Sequence, residues 1–258
     1  KFLLLLISLR NGNIRLLSQF QNLIRTKQKL TLVDQLPSRL FFTSFRKNFD
    51  SAYYPSFTNR EKIPPSVNGF LPLRDNQLAV YKIHTAISEA HSHKKYFIGI
   101  NLGIKSAYDT VCIDGLIFKC LHLGINDNIT KVLHNFLQNR TLQVRWRNSL
   151  SGTKPVQKGL PQGSVVSPIL FVCFLADFSE TLDVGAEYLI FADDIFIFCA
   201  HTSLDHISKK LQNTMGNVYK WCNYWKLIIS PEKCSIADLS KKKLQSIPRI
   251  TYAGFPLP

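Results

Sequence analysis

Acidic residues are scarce in this sequence. Of its 258 residues, 17 are Asp or Glu and 32 are Lys or Arg, so the formal net charge is +15. The positive balance comes from the shortage of acids more than from a basic tail, and it favours a polyanionic partner. Nucleic acid is the first candidate, because Lys and Arg along a cleft neutralise phosphates and release counterions. A basic balance alone also suits membrane-surface and merely soluble proteins.

Metal-binding cysteine motifs and long hydrophobic runs are also missing. The six cysteines form no CxxC pair, and the seven histidines do not cluster with them at zinc spacing. We therefore expect reduced, structural thiols. The apolar run at residues 3–7 is too short to span a bilayer, and no small-residue cleavage site follows it. These absences predict an intracellular protein of the cytoplasm or nucleus, with no membrane partner.

Apolar residues make up 45% of the chain, enough for one large core or two closely packed ones. Because the chain starts at Lys1 and its one methionine is Met215, we expect it to derive from a longer reading frame. Asp75 is a candidate N-cap for a helix with Ala79, Ile83, Ile87 and Ala90 along one face. Further helices are predicted near residues 116–124, 129–137, 168–178 and 204–225. Strands are predicted at residues 96–102, 142–147, 226–229 and 250–255, with a hairpin over 188–200.

The strongest chemical signal is an acidic pair inside that hairpin. Asp193 and Asp194 stand between apolar residues 188–190 and 195–198. Two adjacent carboxylates in such surroundings cost several kcal/mol each to desolvate unless a cation compensates them. A turn that binds a divalent metal ion provides this compensation. The alternative is an ordinary solvated turn, in which Asp is common.

A second signal is the glycine-containing segment KGLPQGS at residues 158–164, with Pro168 at the start of the next helix. Gly159 and Gly163 allow the backbone to approach a flat ligand, and Gln162 can form a hydrogen bond to it. Alone, this segment would be read as a turn. Followed by the acidic hairpin, it is hard to attribute to chance.

These two segments resemble the B and C motifs of reverse transcriptases of non-LTR retrotransposons, in particular the jockey-like and I-factor-like group. Residues 104–111, IKSAYDTV, resemble the A motif, and residues 68–75 resemble a fingers motif. Trp221, Leu227, Pro231 and Lys233 resemble the D motif, and residues 252–254 the E motif. The motifs occur in the family's order, so the resemblance covers residues 66–258.

The resemblance implies an α/β (α+β) fold, the palm of a right-hand polymerase with an antiparallel sheet backed by helices, together with partial fingers and no thumb. The implied boundaries are fingers mainly at residues 66–95 and 113–157, and palm mainly at residues 96–112 and 158–258. Residues 1–65 stay unassigned, with degenerate upstream retroelement sequence as one interpretation.

The implied activity is that of an RNA-directed DNA polymerase. It would use an RNA template, a DNA primer, deoxynucleoside triphosphates and two Mg²⁺ (or Mn²⁺) ions. Asp193 and Asp194 match the metal-binding pair, and Lys233 matches the lysine proposed to protonate pyrophosphate. The residues matched to the nucleotide pocket are Ile104, Tyr108, Pro161, Gln162, Gly163 and Arg74. By itself, Tyr108 would be read as a core aromatic residue and Lys233 as a solvated surface lysine.

One departure from the family pattern concerns a metal ligand. The A motif of the family begins with an aspartate that bridges both metals, and this sequence has Gly103 there. Asp109 cannot replace it, since the family already has an aspartate at that position too. Asn101 is a weak neutral donor nearly 7 Å away on the same strand face. We hypothesise that this chain is impaired by roughly a thousandfold or more.

Other departures point the same way: Leu71 stands where the fingers motif usually has arginine, Ala253 replaces the usual leucine before Gly254, and no endonuclease is recognisable. A decayed genomic copy would explain them together. Two alternatives to an active polymerase therefore stay open. The chain could be a catalytically silent nucleic-acid-binding remnant, or a translated pseudogene product without a stable fold.

Overall fold

The computed structural model describes residues 62–147, 149–242, 244 and 247–258, together with the backbone of one strand nearer the N-terminus. They belong to two compact units. The first holds Ser66–Lys105 and Asp177–Pro258, and the second holds Ser106–Ala176 with residues up to Pro65. Most of the unassigned segment at residues 1–65 lies outside the described residues. The predicted fingers and palm boundaries stay predictions.

In chain order, the described strands are β1 (Leu32–Gln35), β2 (Val67–Asn68), β3 (Tyr96–Gly103), β4 (Arg140–Trp146), β5 (Ser149–Leu150), β6 (Lys154–Val156), β7 (Glu187–Phe191), β8 (Asp194–His201), β9 (Ser235–Asp238), β10 (Thr251–Tyr252) and β11 (Phe255–Pro256). The described α-helices are α1 (Asn76–Ser92), α2 (Ala107–Thr110), α3 (Ile113–His122), α4 (Asp127–Leu137), α5 (Ser167–Phe174) and α6 (Leu204–Trp225). Two 3₁₀ turns lie at Phe178–Thr181 and Pro231–Lys233.

The first unit is built on a five-stranded sheet in the order β2-β7-β8-β3-β9. Strands β7, β8, β3 and β9 are antiparallel to their neighbours, as predicted. Strand β2 runs parallel to β7, however, so the predicted antiparallel sheet is in fact mixed. Parallel pairing of so short a strand leaves no local signal, because its partner lies far along the chain.

One face of this sheet forms the core with α1. Residues two apart on a strand share a face, so Phe97, Leu189, Phe196 and Phe198 lie together and pack with the helix residues Ala79, Ile83 and Ala90. A β-carbon on Gly99 would overlap the Phe196 ring, so the glycine makes room for that ring. Positions 101 and 103, near the C-terminal end of β3, lie on the same face as Phe97. The helix thus covers one end of the face, and the predicted metal site lies toward the other.

Helix α1 begins as predicted. The side chain of Asp75 accepts a hydrogen bond from the backbone N–H of Leu78 at 2.9 Å. We expect Asp75→Ala to lower the free energy of unfolding by about 1 kcal/mol, because the first-turn N–H loses its partner. Urea unfolding measures this loss. Asp75→Asn keeps the capping oxygen and should stay near the natural value; an equal loss in both variants would contradict a capping role.

The second unit combines α2 to α5 with the strands β1, β4, β5 and β6, in which β4 pairs with each of the other three. Helix α5 carries no charged residue, and all its residues but Pro168 are buried. The buried Lys119 of α3 donates a hydrogen bond to the carbonyl of Phe174 at 2.6 Å, so a cation meets the C-terminal end of this helix.

Three sequence predictions need correction. The strand predicted at residues 226–229 is absent, because Lys226 takes a left-handed conformation that ends α6 and Ile229 forms a single bridge with Ile104. The last predicted strand is a hairpin, β10 and β11, with Ala253 and Gly254 at positive φ in its turn. The helix predicted to reach Phe178 ends at Phe174. None of the helices among the described residues combines the length and apolar character required to cross a bilayer.

Candidate active site

The acidic pair lies at the tip of a tight hairpin, as predicted. Strand β7 ends at Phe191 and β8 begins at Asp194, and Ala192 makes the turn with a φ of 57°. The backbone N–H of Ala192 donates to the carbonyl of Asn68 at 3.2 Å, which ties the tip to β2. Asp193 is exposed and Asp194 is half-buried. Both carboxylates can therefore meet solvent or a bound cation.

Gly103 is paired directly with Asp194 in the register of β3 and β8. Directly paired residues of antiparallel strands place their β-carbons on the same face, about 4.5–5.5 Å apart. A carboxylate at position 103 would therefore stand beside that of Asp194. The structure brings together the glycine and the acidic pair, which the sequence separates by some ninety residues.

Lys233 packs over Gly103 where a side chain would otherwise point. A β-carbon built on Gly103 would overlap the β-carbon of Lys233 and lie 3.0 Å from its Cδ. The lysine is held there from two sides. The N–H of Ser230 donates to the carbonyl of Gly103 at 2.8 Å, and the amide of Asn101 donates to the carbonyl of Lys233 at 3.4 Å. The aliphatic part of the Lys233 side chain thus occupies the space that a side chain at position 103 would need.

Asn101 also carries an unpaired oxygen. Its side chain is 6% exposed, and among the described residues no group donates a hydrogen bond to its Oδ1 atom. Strand alternation places Asn101 on the same face as Gly103. A buried amide oxygen without a donor is costly, so this atom is available to a water molecule or to a bound cation.

The donors fit one divalent ion better than two. Carboxylate oxygens suit Mg²⁺, which is usually bound by one or two carboxylates plus water and substrate phosphates. Asp193 and Asp194 supply two such groups. Within the described ranges, no cluster of three or more His, Cys, Asp or Glu residues could hold a metal ion. The two carboxylates present would therefore suit a single ion at the hairpin tip.

Sequence reasoning missed a polar network beside the tip. Asn68 is fully buried, and its Oδ1 accepts a hydrogen bond from Nζ of Lys82 at 3.1 Å. Arg74, predicted to bind nucleotide, donates to the carbonyl of Val67 at 3.1 Å. Burial lowers the pKa of Lys82, and the nearby Arg74 lowers it further. Lys82 gave no signal in the sequence because it is one of several polar residues on a helix.

The second unit holds most of the residues matched to the nucleotide pocket. Tyr108 is half-buried and stacks on Phe171 with 5.1 Å between ring centroids, so one face of its ring is already covered. The amide of Gln162 donates to Oδ1 of Asp109 at 2.9 Å, and both side chains are exposed. Ile104, in the first unit, is only 2% exposed, and its side chain packs in the interior.

The segment from Lys158 to Ser164 is tied down by backbone contacts. The N–H groups of Gly159 and Leu160 each donate at 2.8 Å, to the carbonyls of Val111 and Tyr108. The carbonyl of Pro161 accepts from the hydroxyl of Ser167 at 2.7 Å.

A buried arginine anchors the start of the same segment. Arg140, 3% exposed, donates to the carbonyls of Lys158 and Gly159 and, at 3.0 Å, to that of Leu137. The segment is thus a fixed platform that exposes Gln162 and Gly163.

Solved structures with a similar fold include telomerases. The telomerase of Candida tropicalis in complex with a fragment of telomeric RNA matches with a TM-score of 0.58 at 12% identity, over 82% of this chain and 37% of the telomerase chain. The apo telomerase of the same organism matches with a TM-score of 0.54 at 16% identity, over 97% of this chain and 43% of the telomerase chain. At such identities the likeness concerns the fold, and it confirms the predicted fold class.

Sequence relatives include proteins from mobile elements of Drosophila melanogaster. The probable RNA-directed DNA polymerase from transposon BS is 30% identical over 182 residues, covering 68% of this chain and 20% of the relative. The RNA-directed DNA polymerase from mobile element jockey is 28% identical over 198 residues, covering 74% of this chain and 21% of the relative. The chain thus spans about a fifth of the length of these relatives. The family model described as reverse transcriptase (RNA-dependent DNA polymerase) matches residues 10–257, and the chain therefore belongs to this family, as predicted.

Proposed function

We propose that this chain is the polymerase domain of a non-LTR retrotransposon reverse transcriptase, specialised for template-directed nucleotidyl transfer and impaired at one metal ligand. The observation that carries the proposal is the pairing of Gly103 with Asp194 at the hairpin tip. This pairing supports the proposal because a carboxylate at position 103 would stand beside that of Asp194. The substrates would be an RNA template, a DNA primer and deoxynucleoside triphosphates.

The chain's own residues have distinct tasks in this reaction. Asp193 and Asp194 would hold a divalent ion, which when bound stabilises the negative charge that develops on the transferring phosphoryl group. Lys233 would give a proton to the departing pyrophosphate. In the second unit, Tyr108 would restrict the sugar of the incoming nucleotide by contact, and Gln162 would contact the nucleotide from its fixed platform.

The impairment follows from the donor set. A carboxylate ligand at position 103 would contribute several kcal/mol to metal binding, and each ~1.4 kcal/mol is a tenfold change in rate. Its absence predicts a loss of roughly a thousandfold. The lysine stem packed over Gly103 also leaves no room for a replacement ligand without movement.

The packing of Lys233 over Gly103 also favours a second candidate, a catalytically silent nucleic-acid-binding remnant. In this case the chain would bind RNA in a salt-sensitive manner and incorporate no nucleotide. A single cooperative unfolding transition would set both candidates apart from an unfolded pseudogene product.

Primer extension on an RNA template, with Mg²⁺ or Mn²⁺, tests the proposal. We expect slow incorporation by the natural chain and at least a tenfold lower rate in the Asp193→Asn/Asp194→Asn double variant, because the amides bind the metal far more weakly than the carboxylates. Asp205→Asn, an exposed aspartate on α6 outside the site, is the matched control and should keep the natural rate. Incorporation that the double variant leaves unchanged would refute the assigned metal ligands.

A further inference from the structure

The hairpin formed by β4 and β5 exposes a large aromatic ring among cations. Trp146 is 67% exposed and Val144 on the same strand face is 40% exposed. Lys154 of β6 is paired with Leu142, so it shares this face, and it is also exposed. The exposed Arg147 follows the tryptophan in the turn, whereas Arg145 lies on the opposite face of the strand. We call Val144, Trp146, Arg147 and Lys154 the hairpin surface. A tryptophan exposed among cations is not required by the core of the second unit.

The surroundings of the hairpin surface are strongly cationic. Between Asp127 and Asp177 the sequence contains no Asp or Glu, and it contains six Lys or Arg residues: Lys131, Arg140, Arg145, Arg147, Lys154 and Lys158. Strand β1, which pairs with β4, contributes one acidic residue, Asp34, in register with Leu142. The shortage of acids noted in the whole chain is therefore concentrated in the segment that contains this hairpin.

The hairpin surface rests on a well-connected backbone. The hydroxyl of Ser151 accepts from the N–H of Val144 at 2.8 Å, and the N–H of Ser151 donates to the carbonyl of Val144 at 2.9 Å. The amide of Gln143 donates to the carbonyl of Ser151 at 3.1 Å. These bonds hold the strand that presents Trp146, so a ligand that stacks on its ring would meet a preformed platform.

We propose that the hairpin surface binds single-stranded RNA, with a base stacked on Trp146 and phosphates neutralised by Arg147 and Lys154. Stacking on exposed aromatic rings combined with a cationic groove is how proteins bind unpaired strands without sequence preference. A second copy of the chain fits less well, because a symmetric contact would bring the same cations face to face. The inference deepens the proposed function, on whose RNA substrate it rests.

Binding of a fluorescein-labelled 12-nucleotide oligouridine RNA, followed by anisotropy, tests the aromatic part. Trp146→Ala should weaken binding about tenfold, because one base loses its stacking partner, while Trp146→Phe should weaken it less. Tyr81→Ala, which removes an equally exposed aromatic from α1, is the matched control and should leave the affinity unchanged. A blunt RNA duplex, whose bases are already stacked, should bind with no dependence on Trp146.

Salt dependence tests the cationic part. Arg147→Gln/Lys154→Gln should reduce the slope of log affinity against log salt by about 1.4, because each cation that is removed leaves one phosphate of the single strand without its partner. Lys209→Gln/Lys220→Gln removes two exposed charges from α6 and should not change the slope by that amount.

The outcomes separate this inference from the proposed function. RNA binding that depends on Trp146 in a chain without incorporation would support the inference while the polymerase proposal failed. Equal RNA affinity of the natural chain and Trp146→Ala would overturn the inference, whatever the polymerase activity. Sedimentation gives a further check: if Trp146→Ala dissociates a dimer and leaves RNA binding intact, the surface is an interface between copies and the inference is wrong.

Discussion

Gly103→Asp should extend an RNA-templated primer at least tenfold faster than the natural chain in the presence of Mg²⁺ or Mn²⁺. The new carboxylate would stand beside Asp194, its direct partner in the sheet, and complete the set of metal ligands. A bridging ligand is worth roughly a thousandfold, but the β-carbon at position 103 overlaps Lys233, and displacing the lysine removes part of the gain. Single-nucleotide incorporation rates measure the effect.

Two further variants separate the carboxylate from its steric cost. Gly103→Ala adds the β-carbon alone, so it should lose about 1–3 kcal/mol of unfolding free energy and gain no activity. Gly103→Asp/Lys233→Gly removes the overlap and should bind Mn²⁺ more tightly than Gly103→Asp, as measured by titration, although it lacks the lysine that would protonate pyrophosphate. Equal incorporation by the Asp and Ala variants at position 103 would show that a carboxylate there takes no part in catalysis.

Gly159→Ala should destabilise the protein by about 2–4 kcal/mol. Gly159 has a φ of 86°, which costs an alanine roughly 1–2 kcal/mol, and its added β-carbon would lie 2.8 Å from the backbone of Asp109, where no flexible side chain can give way. Urea unfolding followed by circular dichroism measures the loss. Because the same backbone carries Gln162, nucleotide binding should weaken as well.

Gly163→Ala is the matched control for this prediction. Gly163 has the same φ of 86°, but within the described part of the chain no neighbouring atom lies within 4 Å of a β-carbon built there. Its substitution should therefore lower the free energy of unfolding only by the cost of placing alanine in a left-handed conformation, roughly 1–2 kcal/mol. If both alanine variants lose the same free energy, then the close approach of Gly159 to Asp109 does not contribute to stability.

Local sequence patterns predicted the parts of the fold in which neighbours along the chain determine the conformation. The capping aspartate at position 75 and the apolar spacing after it identified α1. The two apolar runs around Asp193 and Asp194 identified the hairpin of β7 and β8, because antiparallel strands joined by a tight turn are specified locally. Helix α6 was predicted at the residues where it occurs, Leu204–Trp225.

Other parts depend on residues that are distant in sequence. Strand β2 has two residues, too few for any periodic pattern, and its partner Ile190 lies in the hairpin. The segment after α6 has an apolar composition typical of a strand. However, Lys226 adopts a left-handed conformation at the end of the helix, and the segment then forms only a single bridge, between Ile229 and Ile104. Tertiary contacts decide both cases, and no local propensity reports them.

The sequence named the residues of the candidate site but indicated only part of its geometry. The family resemblance selected Gly103, Asp193, Asp194 and Lys233 from separate motifs. It could not predict that the Lys233 stem fills the space over Gly103, since this depends on the packing of the 3₁₀ turn against β3. Nor could it predict that Lys82 donates a hydrogen bond to the buried Asn68 beside the hairpin tip, because the sequence pattern assigned no role to either side chain.

The interruption of the first unit by the second has a consequence for the order of folding during synthesis. The internal strand β3 can pair with its neighbours β8 and β9 only after Ser106–Ala176 has emerged from the ribosome, whereas most pairings of that inserted stretch are local or reach back to β1. Sheets that close over long separations assemble slowly. We therefore expect the apolar strand β3 to remain unpaired and exposed to solvent while the inserted unit folds. In the nascent chain it should be the stretch most prone to aggregation and to chaperone binding.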